Sequence, residues 1–256
     1  MLIDTHSHLN DSKYDDAKLN EIISNMTSNN LEKIISVSAS IEDSKEVVDL
    51  VSKYKNVYGV LGIHPENIKE VNEDNLKLLE ELAKNKKIVA IGEIGLDYHY
   101  EGFDRQQQID GFLKQVKLAS KLNLPIVIHL RDAYEDMLNL LKENKEYLKN
   151  GFVIHCFSGS LEICKELLKL GAMFSFTGNI TFKNARKAIE VIEFLPLNKI
   201  MVETDCPYLS PEPVRGTINE PKNVNYVFNK ISEIKNIDKL ELDKIIRENV
   251  REFYKI

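Results

Sequence analysis

The chain has 256 residues, 43% of them hydrophobic and 29% charged, which is the ordinary composition of a folded protein with a sizeable core. Its 34 lysines and arginines against 40 aspartates and glutamates give a net charge of −6, which excludes a general positive field that would attract nucleic acid. Three cysteines, no basic and apolar leader and no apolar run of membrane-spanning length predict a cytoplasmic protein with reduced thiols.

Short apolar segments rich in β-branched residues recur along the chain, and they are typical of strands buried in a parallel sheet. Eight strands are predicted, at Leu2–His6, Lys33–Ala39, Val57–His64, Ile88–Leu96, Pro125–Leu130, Phe152–Phe157, Ala172–Thr177 and Lys199–Thr204. Helical periodicity alternates with them, at Asp16–Asn29, Glu42–Tyr54, Asn75–Lys84, Arg105–Leu122, Ala133–Lys142, Leu161–Leu170, Asn184–Phe194, Lys222–Lys235 and Leu240–Tyr254. In the fourth helix one apolar stripe is predicted from Ile109, Phe112, Leu113, Val116, Ala119 and Ser120.

This alternation predicts an α/β fold, and the number of units favours a closed barrel. Eight strand–helix units in about 250 residues is the usual size of a (β/α)8 TIM barrel. The rival is an open doubly wound sheet, which usually carries a glycine-rich phosphate-binding turn after its first strand. Here that turn reads THSHLNDSKY and contains no glycine. No linker or repeat interrupts the pattern, so we predict one TIM-barrel domain over residues 1–256, with an extra C-terminal helix.

Polar side chains collect near the carboxyl ends of the predicted strands, where a barrel of this kind carries its chemistry. His6 and His8 end the first strand one residue apart, so both imidazoles point to the same side. Later strand ends supply His64, Glu93, His129, His155 and Asp205. A lone histidine in such a place is more often a hydrogen-bonded core residue than a ligand. The barrel, however, would bring all of these ends to one rim.

Four imidazoles and two carboxylates meeting at one rim predict a centre of two divalent cations, because six ligands are too many for one tetrahedral zinc. The expected ligands are His6, His8 and Asp205 for one ion, His129 and His155 for the other, and Glu93 for both. Mixed ligands of this kind leave zinc, magnesium and manganese open. Two ions would activate a water for attack, with Asp205 as proton acceptor. Glu203, on the same face, either orients that water or a ligand, or sits in a buried ion pair.

The same residues lie in an ordered set of motifs between residues 3 and 221: IDTHSHL, GIHPE, IGEIGLDY, PIVIHLRDA, HCFSGS and VETDCPYLSP…RGTINEP. In this order they resemble the TatD-type metal-dependent deoxyribonucleases, a branch of the amidohydrolase-like barrel hydrolases. The resemblance implies a (β/α)8 fold, two divalent metals and the same six ligands. It implies hydrolysis of phosphodiester bonds in DNA, often as a 3′→5′ exonuclease on single strands. It places His64 where the family has a histidine that contacts the substrate phosphate.

Contacts to the substrate are predicted from residue type and position. Arg131 and Arg215 are candidates for phosphate contacts, since a guanidinium pairs well with phosphate oxygens, and a salt bridge is the alternative for each. Tyr98 and Phe103 either stack a base or pack the barrel lip. Cys156 and Cys206 adjoin ligands in sequence, and we expect them to point to the opposite face as small buried hydrophobes.

The leading hypothesis is therefore a metal-dependent hydrolase acting on ester bonds, a deoxyribonuclease in which Glu93 and Asp205 are catalytic. Its expected partner is single-stranded or end-bearing DNA, with no membrane and no obligate protein partner. The alternative is a hydrolase of small esters, lactones or amides that uses the same dimetal site. The acidic charge favours that alternative slightly, because a dedicated nuclease often carries a basic stripe. A binding or scaffold barrel is a third possibility, which the intact ligand set disfavours.

Overall fold

The computed structural model describes residues 1–100, 102 and 104–256, and in them strands and helices alternate. The eight strands are β1 Leu2–Ser7, β2 Leu31–Val37, β3 Val57–Leu61, β4 Ile88–Asp97, β5 Ile126–Arg131, β6 Phe152–Ile154, β7 Met173–Phe176 and β8 Ile200–Val202. The helices in the described part are α1 Asp16–Ser24, α2 Ile41–Lys53, α3 Glu73–Leu82, α4 Arg105–Leu122, α5 Tyr134–Glu143, α6 Leu161–Lys169, α7 Arg186–Phe194, α8 Val224–Lys235 and α9 Lys239–Tyr254.

The eight strands form one sheet in chain order, and each pairs in parallel with the next. The sheet curls until β1 meets the chain just after β8, where Ser7 and Cys206 form a parallel bridge. The amide of Asp205 donates to the carbonyl of His6 at 2.9 Å, and the amide of His8 donates to the carbonyl of Cys206 at 2.7 Å. The predicted (β/α)8 TIM barrel is thus confirmed.

The extra C-terminal helix contributes to the core of the barrel. One buried apolar cluster takes at least one residue from every strand, such as Ile3 in β1 and Met201 in β8, which places this cluster in the barrel interior. Val250 and Tyr254 of α9 belong to the same cluster. Because α9 packs against one end of the interior, polar side chains of the strands are left to gather at the other end.

Four strands are shorter than predicted, β7 by one residue at each end, and candidate residues follow the other three in loops. β3 ends at Leu61 rather than His64, β6 at Ile154 and β8 at Val202. Beyond these strand ends, the backbone forms hydrogen bonds that are not part of the regular pairing between adjacent strands. The amide of His64 donates to the carbonyl of Ala39 at 2.9 Å, for example. Loops at strand ends suit a site because they let side chains turn inward over the barrel mouth.

Helix α4 is rotated relative to its predicted apolar stripe, since Ile109 and Leu113 are only half-buried while Gln108 and Gln115 are buried. Gln108 accepts from the amide of Asp97 at 2.8 Å and donates to its carbonyl at 2.9 Å. Gln115 accepts from the amide of Ile63 at 2.8 Å and donates to its carbonyl at 3.0 Å. Each glutamine thus pairs with the backbone where a strand leaves the sheet, which satisfies buried polar groups that would otherwise be costly.

Among the described helices, none combines the length and the apolar character that crossing a membrane requires.

Candidate metal centre

The carboxyl ends of the strands surround a cavity of about 700 Å³, and most of the predicted ligands lie in its wall. His8, Glu93, His129, His155 and Asp205 line the cavity. His6 lies beneath them and is fully buried. The structure therefore brings together the six residues that the sequence singled out from five distant segments.

Glu93 lies at the centre of the cluster. Its Oε1 atom is 2.6 Å from Nδ1 of His129 and 2.7 Å from Nε2 of His155. Its Oε2 atom is 3.3 Å from Nε2 of His6. The two oxygens of this carboxylate thus face two different sets of imidazoles, which is the arrangement that a bridging ligand requires.

Asp205 faces the first histidine pair from the other side. Its Oδ1 atom lies 3.4 Å from Nε2 of His8 and 3.7 Å from Nε2 of His6. Asp205 has a φ of 55°, a left-handed conformation that aspartate adopts more readily than most residues. The hydrogen bond from the backbone amide of Asp205 to the carbonyl of His6 fixes this turn, so the side chains of β1 and of the chain after β8 point to the same place.

In three of the histidines, the ring nitrogen that faces away from the centre lies next to an acceptor oxygen, which holds the ring in place. Nδ1 of His8 donates to the carbonyl of Val37 at 2.9 Å. Nε2 of His129 donates to Oδ2 of Asp97 at 2.9 Å, and Nδ1 of His155 faces Oε1 of Glu203 at 3.2 Å. Metal-binding histidines almost always have such an outer acceptor, because it fixes the ring and the tautomer.

The buried histidine His6 supplies the most direct test of whether a cation fits. Neither of its ring nitrogens has a hydrogen-bond partner among the described residues, although its side chain is fully buried. An unpartnered buried polar atom is costly. Imidazole nitrogens and carboxylate oxygens are suitable ligands for zinc, manganese and related divalent ions. His6 with His8 and Glu93 forms one cluster close enough to hold a single ion, so the residues present fit a metal.

When no cation is bound, protons on the histidines compensate the negative charge of the carboxylates in this cluster. Burial favours the neutral form of Glu93, yet the imidazoles of His155 and His6 and a hydrogen bond from His129 hold its pKa well below the usual value. Burial opposes charge on His155, yet Glu93 and Glu203 raise the pKa of its imidazole well above the usual value. A divalent cation would replace these protons on binding.

The tautomer of His64 is set by its own backbone surroundings. Its Nδ1 accepts a hydrogen bond from the amide of Glu66 at 3.1 Å, so a neutral ring carries its proton on Nε2. Burial first, then the charge of His129, lowers the pKa of His64 to about 3, so the ring is neutral. Its Nε2 points toward Oε1 of Glu93 at 3.8 Å. His64 is therefore arranged to donate a hydrogen bond into the cavity.

The predicted arginines occupy different environments. Arg131 lines the cavity and reaches the hydroxyl of Tyr100 at 3.3 Å. Arg215 is not among the described residues that line it. Its side chain is 62% exposed, its guanidinium lies 3.7 Å from Glu212, and it stacks on the ring of Phe182 at 4.4 Å.

Two further expectations concern aromatic and sulfur side chains. The hydroxyl of Tyr98 donates a hydrogen bond to Asp136 at 2.7 Å, and its ring packs under Arg105. Tyr98 therefore packs the barrel lip. Phe103 lies outside the described residues. Cys206 is buried, as expected, but Cys156 is half-buried and lines a cavity beside the centre, so its expected orientation is wrong. The cause is local, since Cys156 has a φ of 45°, which turns the chain at the end of β6.

Sequence reasoning missed Asp97, the outer acceptor for His129. Asp97 follows Glu93 by four residues in the same strand, so period two places both side chains on one face. That spacing was the available signal. Gly95 between them permits the close pairing of β4 and β5, because a Cβ at Gly95 would overlap the carbonyl oxygen of His129. Glu203, weighed as either an orienting group or an ion-pair partner, also accepts from the amide of Cys156 at 2.7 Å.

One side of the cavity is strongly acidic. Besides the cluster itself, its wall includes Asp11, Asp43, Glu46 and Glu66, which follow β1, β2 and β3 in the chain, whereas Arg131 ends β5. Arg131 is the one lysine or arginine in the lining of this cavity among the residues described. A polyanion would therefore be repelled on one side of the mouth and attracted on the other.

Comparison with known proteins gives a consistent set of similarities. A family model described as TatD related DNase matches residues 3–255. An uncharacterized metal-dependent hydrolase of Bacillus subtilis is 39% identical over 256 residues, with 100% of both chains covered. An uncharacterized metal-dependent hydrolase of Escherichia coli K12 is 32% identical over 257 residues, with 100% of this chain and 96% of that protein covered. The crystal structure of YJJV, a TatD homolog from Escherichia coli, has a TM-score of 0.93 at 28% identity, covering 100% of this chain and 98% of that one.

Proposed function

Because the chain belongs to the family of TatD-related DNases, we propose that it is a divalent-metal-dependent deoxyribonuclease that cleaves phosphodiester bonds in DNA. The resemblance read from the sequence is confirmed by this membership, which supports hydrolysis that depends on a divalent metal. The observation that carries the proposal is the convergence of imidazole nitrogens on the carboxylates of Glu93 and Asp205 at an open cavity.

The proposed centre holds two divalent cations. Its ligands are His6, His8 and Asp205 for one ion, His129 and His155 for the other, and Glu93 for both. When bound, two such ions activate water and stabilise negative charge on the oxygens of a phosphodiester. The donor set suits zinc, manganese or magnesium.

Asp205 is the proposed proton acceptor for the attacking water. Burial favours its neutral form, but a hydrogen bond from His8 and the nearby His155 lower the pKa of the Asp205 carboxyl. It is therefore ionised at neutral pH and able to take a proton. Glu93 is proposed to bind both ions and so to fix their positions relative to each other. Asp97 is proposed to orient the ring of His129, and Glu203 that of His155.

Two side chains are proposed to bind the phosphate. Nε2 of His64 donates a hydrogen bond to a phosphate oxygen, since its proton is fixed on that nitrogen by the contact with Glu66. Arg131 pairs with a second oxygen, because a guanidinium matches phosphate geometry. Arg215 is proposed to engage only a substrate that extends beyond the cavity, given its exposed position.

The charge at the mouth supports a substrate that enters from one side. Asp11, Asp43, Glu46 and Glu66 repel a phosphate chain, so a DNA strand would leave the cavity on the side of Arg131. A strand that can extend in one direction only is bound at its end. We therefore propose an exonuclease acting on the 3′ end of single-stranded DNA, with polarity carried over from the family resemblance.

The test is digestion of a single-stranded oligonucleotide labelled at its 5′ end, compared with a circular single strand of the same composition. We expect metal-dependent shortening of the linear DNA from the 3′ end, no cleavage of the circle, and complete loss of activity with a chelator. The variants Glu93→Gln and Asp205→Asn should be inactive. Asp74→Asn, at a side chain that is 96% exposed, is the matched control and should be fully active.

A second candidate is hydrolysis of a small ester, lactone or amide at the same centre, which the acidic wall of the cavity favours because it disfavours polyanions. The same preparation is assayed on ester, lactone and amide substrates. Hydrolysis of one of these by the wild type but not by Glu93→Gln, with no cleavage of linear DNA, would replace the nuclease proposal by this one.

A further inference from the structure

A second cavity, of about 450 Å³, adjoins the metal centre. It shares His129, His155 and Asp205 with the centre, and Arg131 and Tyr208 line both cavities. Its remaining wall combines aromatic, aliphatic and polar side chains: Tyr100, Leu130, Leu209, Cys156, Ser158 and Asn179. A concave site with apolar walls and a few polar groups is the usual form of a small-ligand site.

Two tyrosine rings border this cavity and remain exposed to solvent. Tyr208 is 45% exposed and Tyr100 is 49% exposed, so both rings are accessible to a ligand. Their positions are nevertheless fixed. The hydroxyl of Tyr208 donates to Asp11 at 2.6 Å, and Nζ of Lys13 lies 4.1 Å from the ring centroid. Arg131 lies 5.1 Å from the centroid of Tyr100. Rings held in place lose little conformational entropy when a ligand stacks on them.

The amide of Asn179 supplies a polar group that the protein itself hardly uses. Its Nδ2 makes one weak contact, at 3.6 Å to the sulfur of Cys156. Its Oδ1 is buried and has no hydrogen-bond partner among the described residues. A buried acceptor without a donor is unfavourable, so an amide held this loosely gains from turning toward a ligand that carries both donors and acceptors.

We propose that the second cavity is a nucleobase subsite, which binds the base of the nucleotide whose phosphate lies at the metal centre. This inference rests on the proposed function and extends it to the part of the substrate that is recognised. The base stacks on Tyr208, which lines both cavities, and the amide of Asn179 bonds to its edge. Single-stranded nucleic acid is recognised in this way, by aromatic stacking and by polar contacts to unpaired base edges. Arg131, common to both cavities, lies beside the connecting phosphate.

The test measures binding of a base without requiring hydrolysis. Isothermal titration calorimetry on the metal-loaded protein compares deoxyadenosine 5′-monophosphate with 2-deoxyribose 5-phosphate, which has the same sugar and phosphate but no base. We expect the nucleotide to bind about 10-fold more tightly, as one stacked base would give. The ratio should fall toward one in Tyr208→Ala and in Asn179→Ala.

Matched variants separate stacking from other effects. Tyr208→Phe keeps the ring and should keep most of the preference. Tyr226→Ala removes another half-exposed tyrosine, on α8, and should leave the ratio unchanged. All four variants are checked for an unchanged thermal transition, and since Tyr208 is exposed, its replacement tests the proposal even if Asn179→Ala is destabilised.

The outcomes distinguish the subsite from the nuclease proposal. A wild-type ratio near one, or binding of neither compound at millimolar concentration, overturns the subsite, even if the protein digests DNA. A ratio that survives in Tyr208→Ala overturns it as well. A preference that depends on Tyr208, in a protein that cleaves no DNA, would leave the subsite standing and remove the nuclease.

Discussion

The Nε2 atom of His129 lies 2.9 Å from Oδ2 of Asp97, while Nδ1 of the same ring faces Glu93 at 2.6 Å. The ring is thus fixed from behind by a carboxylate in the strand next to its own. The amide of His99 also donates to Asp97, at 2.9 Å, so this orienting carboxylate is itself held. Its backbone is held in turn by the side chain of Gln108.

Replacing Asp97 should therefore weaken metal binding without touching a ligand. We expect Asp97→Ala to lower metal affinity about 10- to 100-fold, because the ring of His129 loses the partner that sets its tautomer and direction. Asp97→Asn keeps an acceptor oxygen and should lose less. Competition with a fluorescent chelator measures the dissociation constant. Equal affinity in the wild type and Asp97→Ala would show that Asp97 does not orient the ring.

Replacing Gln108 should reduce the stability of the fold. Gln108→Ala leaves the buried amide and carbonyl of Asp97 without their partners, which we expect to lower the free energy of unfolding by about 2–4 kcal/mol. Gln106→Ala, an exposed position in the same helix, is the control and should cost well under half of that. Urea denaturation followed by circular dichroism gives both values. If the two variants were equally stable, the bonds from Gln108 would contribute nothing net.

Stability of the metal-free protein should fall as the pH rises above about 6.5. Burial opposes charge on His8, but hydrogen bonding and the charge of Asp205 raise its pKa. Burial likewise opposes charge on His129 and His155, and the neighbouring carboxylates outweigh it and raise both pKa values. These three groups bind protons more tightly in the folded state than in the unfolded chain, where a histidine titrates near about 6.5. Their contribution is complete below that pH and is lost as the pH rises through the raised values.

The other histidines do not alter this expectation. Burial lowers the pKa values of His6 and His64, so above about pH 6.5 both are neutral in the folded and the unfolded states. The measurement is the midpoint of thermal unfolding between pH 6 and 9, with chelator and with saturating metal. We expect a declining midpoint only with chelator, since bound cations replace the protons. Parallel curves in the two conditions would show that protons and cations do not compete for this cluster.

Substitution of the two central carboxylates should abolish turnover and preserve the fold. Asp205→Asn removes the proposed proton acceptor, and we expect a loss of at least about 100-fold in kcat. Glu93→Gln removes charge from the group between the two halves of the centre and should lose as much. Steady-state hydrolysis of single-stranded DNA, with circular dichroism to check folding, measures both effects. Near-normal turnover in either variant would contradict its assignment.

The sequence predicted the barrel because its signal is local and repeated. Each strand is a short apolar run, and six of the eight carry a candidate residue in their second half or just beyond their end, as with His129 in β5 and Asp205 after β8. Knowledge of where barrel strands end was then enough to bring distant segments together. The bounds of β3 were less predictable, because the apolar residues continue to Ile63 while the backbone of Ile63 already bonds to a side chain of α4.

What the sequence could not supply is pairing between side chains of different elements. Gln115 and Gln108 read as polar surface positions of a helix, and only the packing of α4 on the barrel shows that they are buried. Asp97 shares a face with Glu93, but its partner His129 belongs to another strand. The environment of Arg215 depends on how a long loop stacks it on Phe182, and no periodicity encodes that contact.

The most direct test of the dimetal proposal is a crystal structure of the manganese-loaded protein with an anomalous difference map. We expect two anomalous peaks per chain, about 3.5–4 Å apart, with the carboxylate of Glu93 between them. One peak should lie against His6, His8 and Asp205, and the other against His129 and His155. A single peak, or peaks that do not contact Glu93, would contradict a two-cation centre at this site.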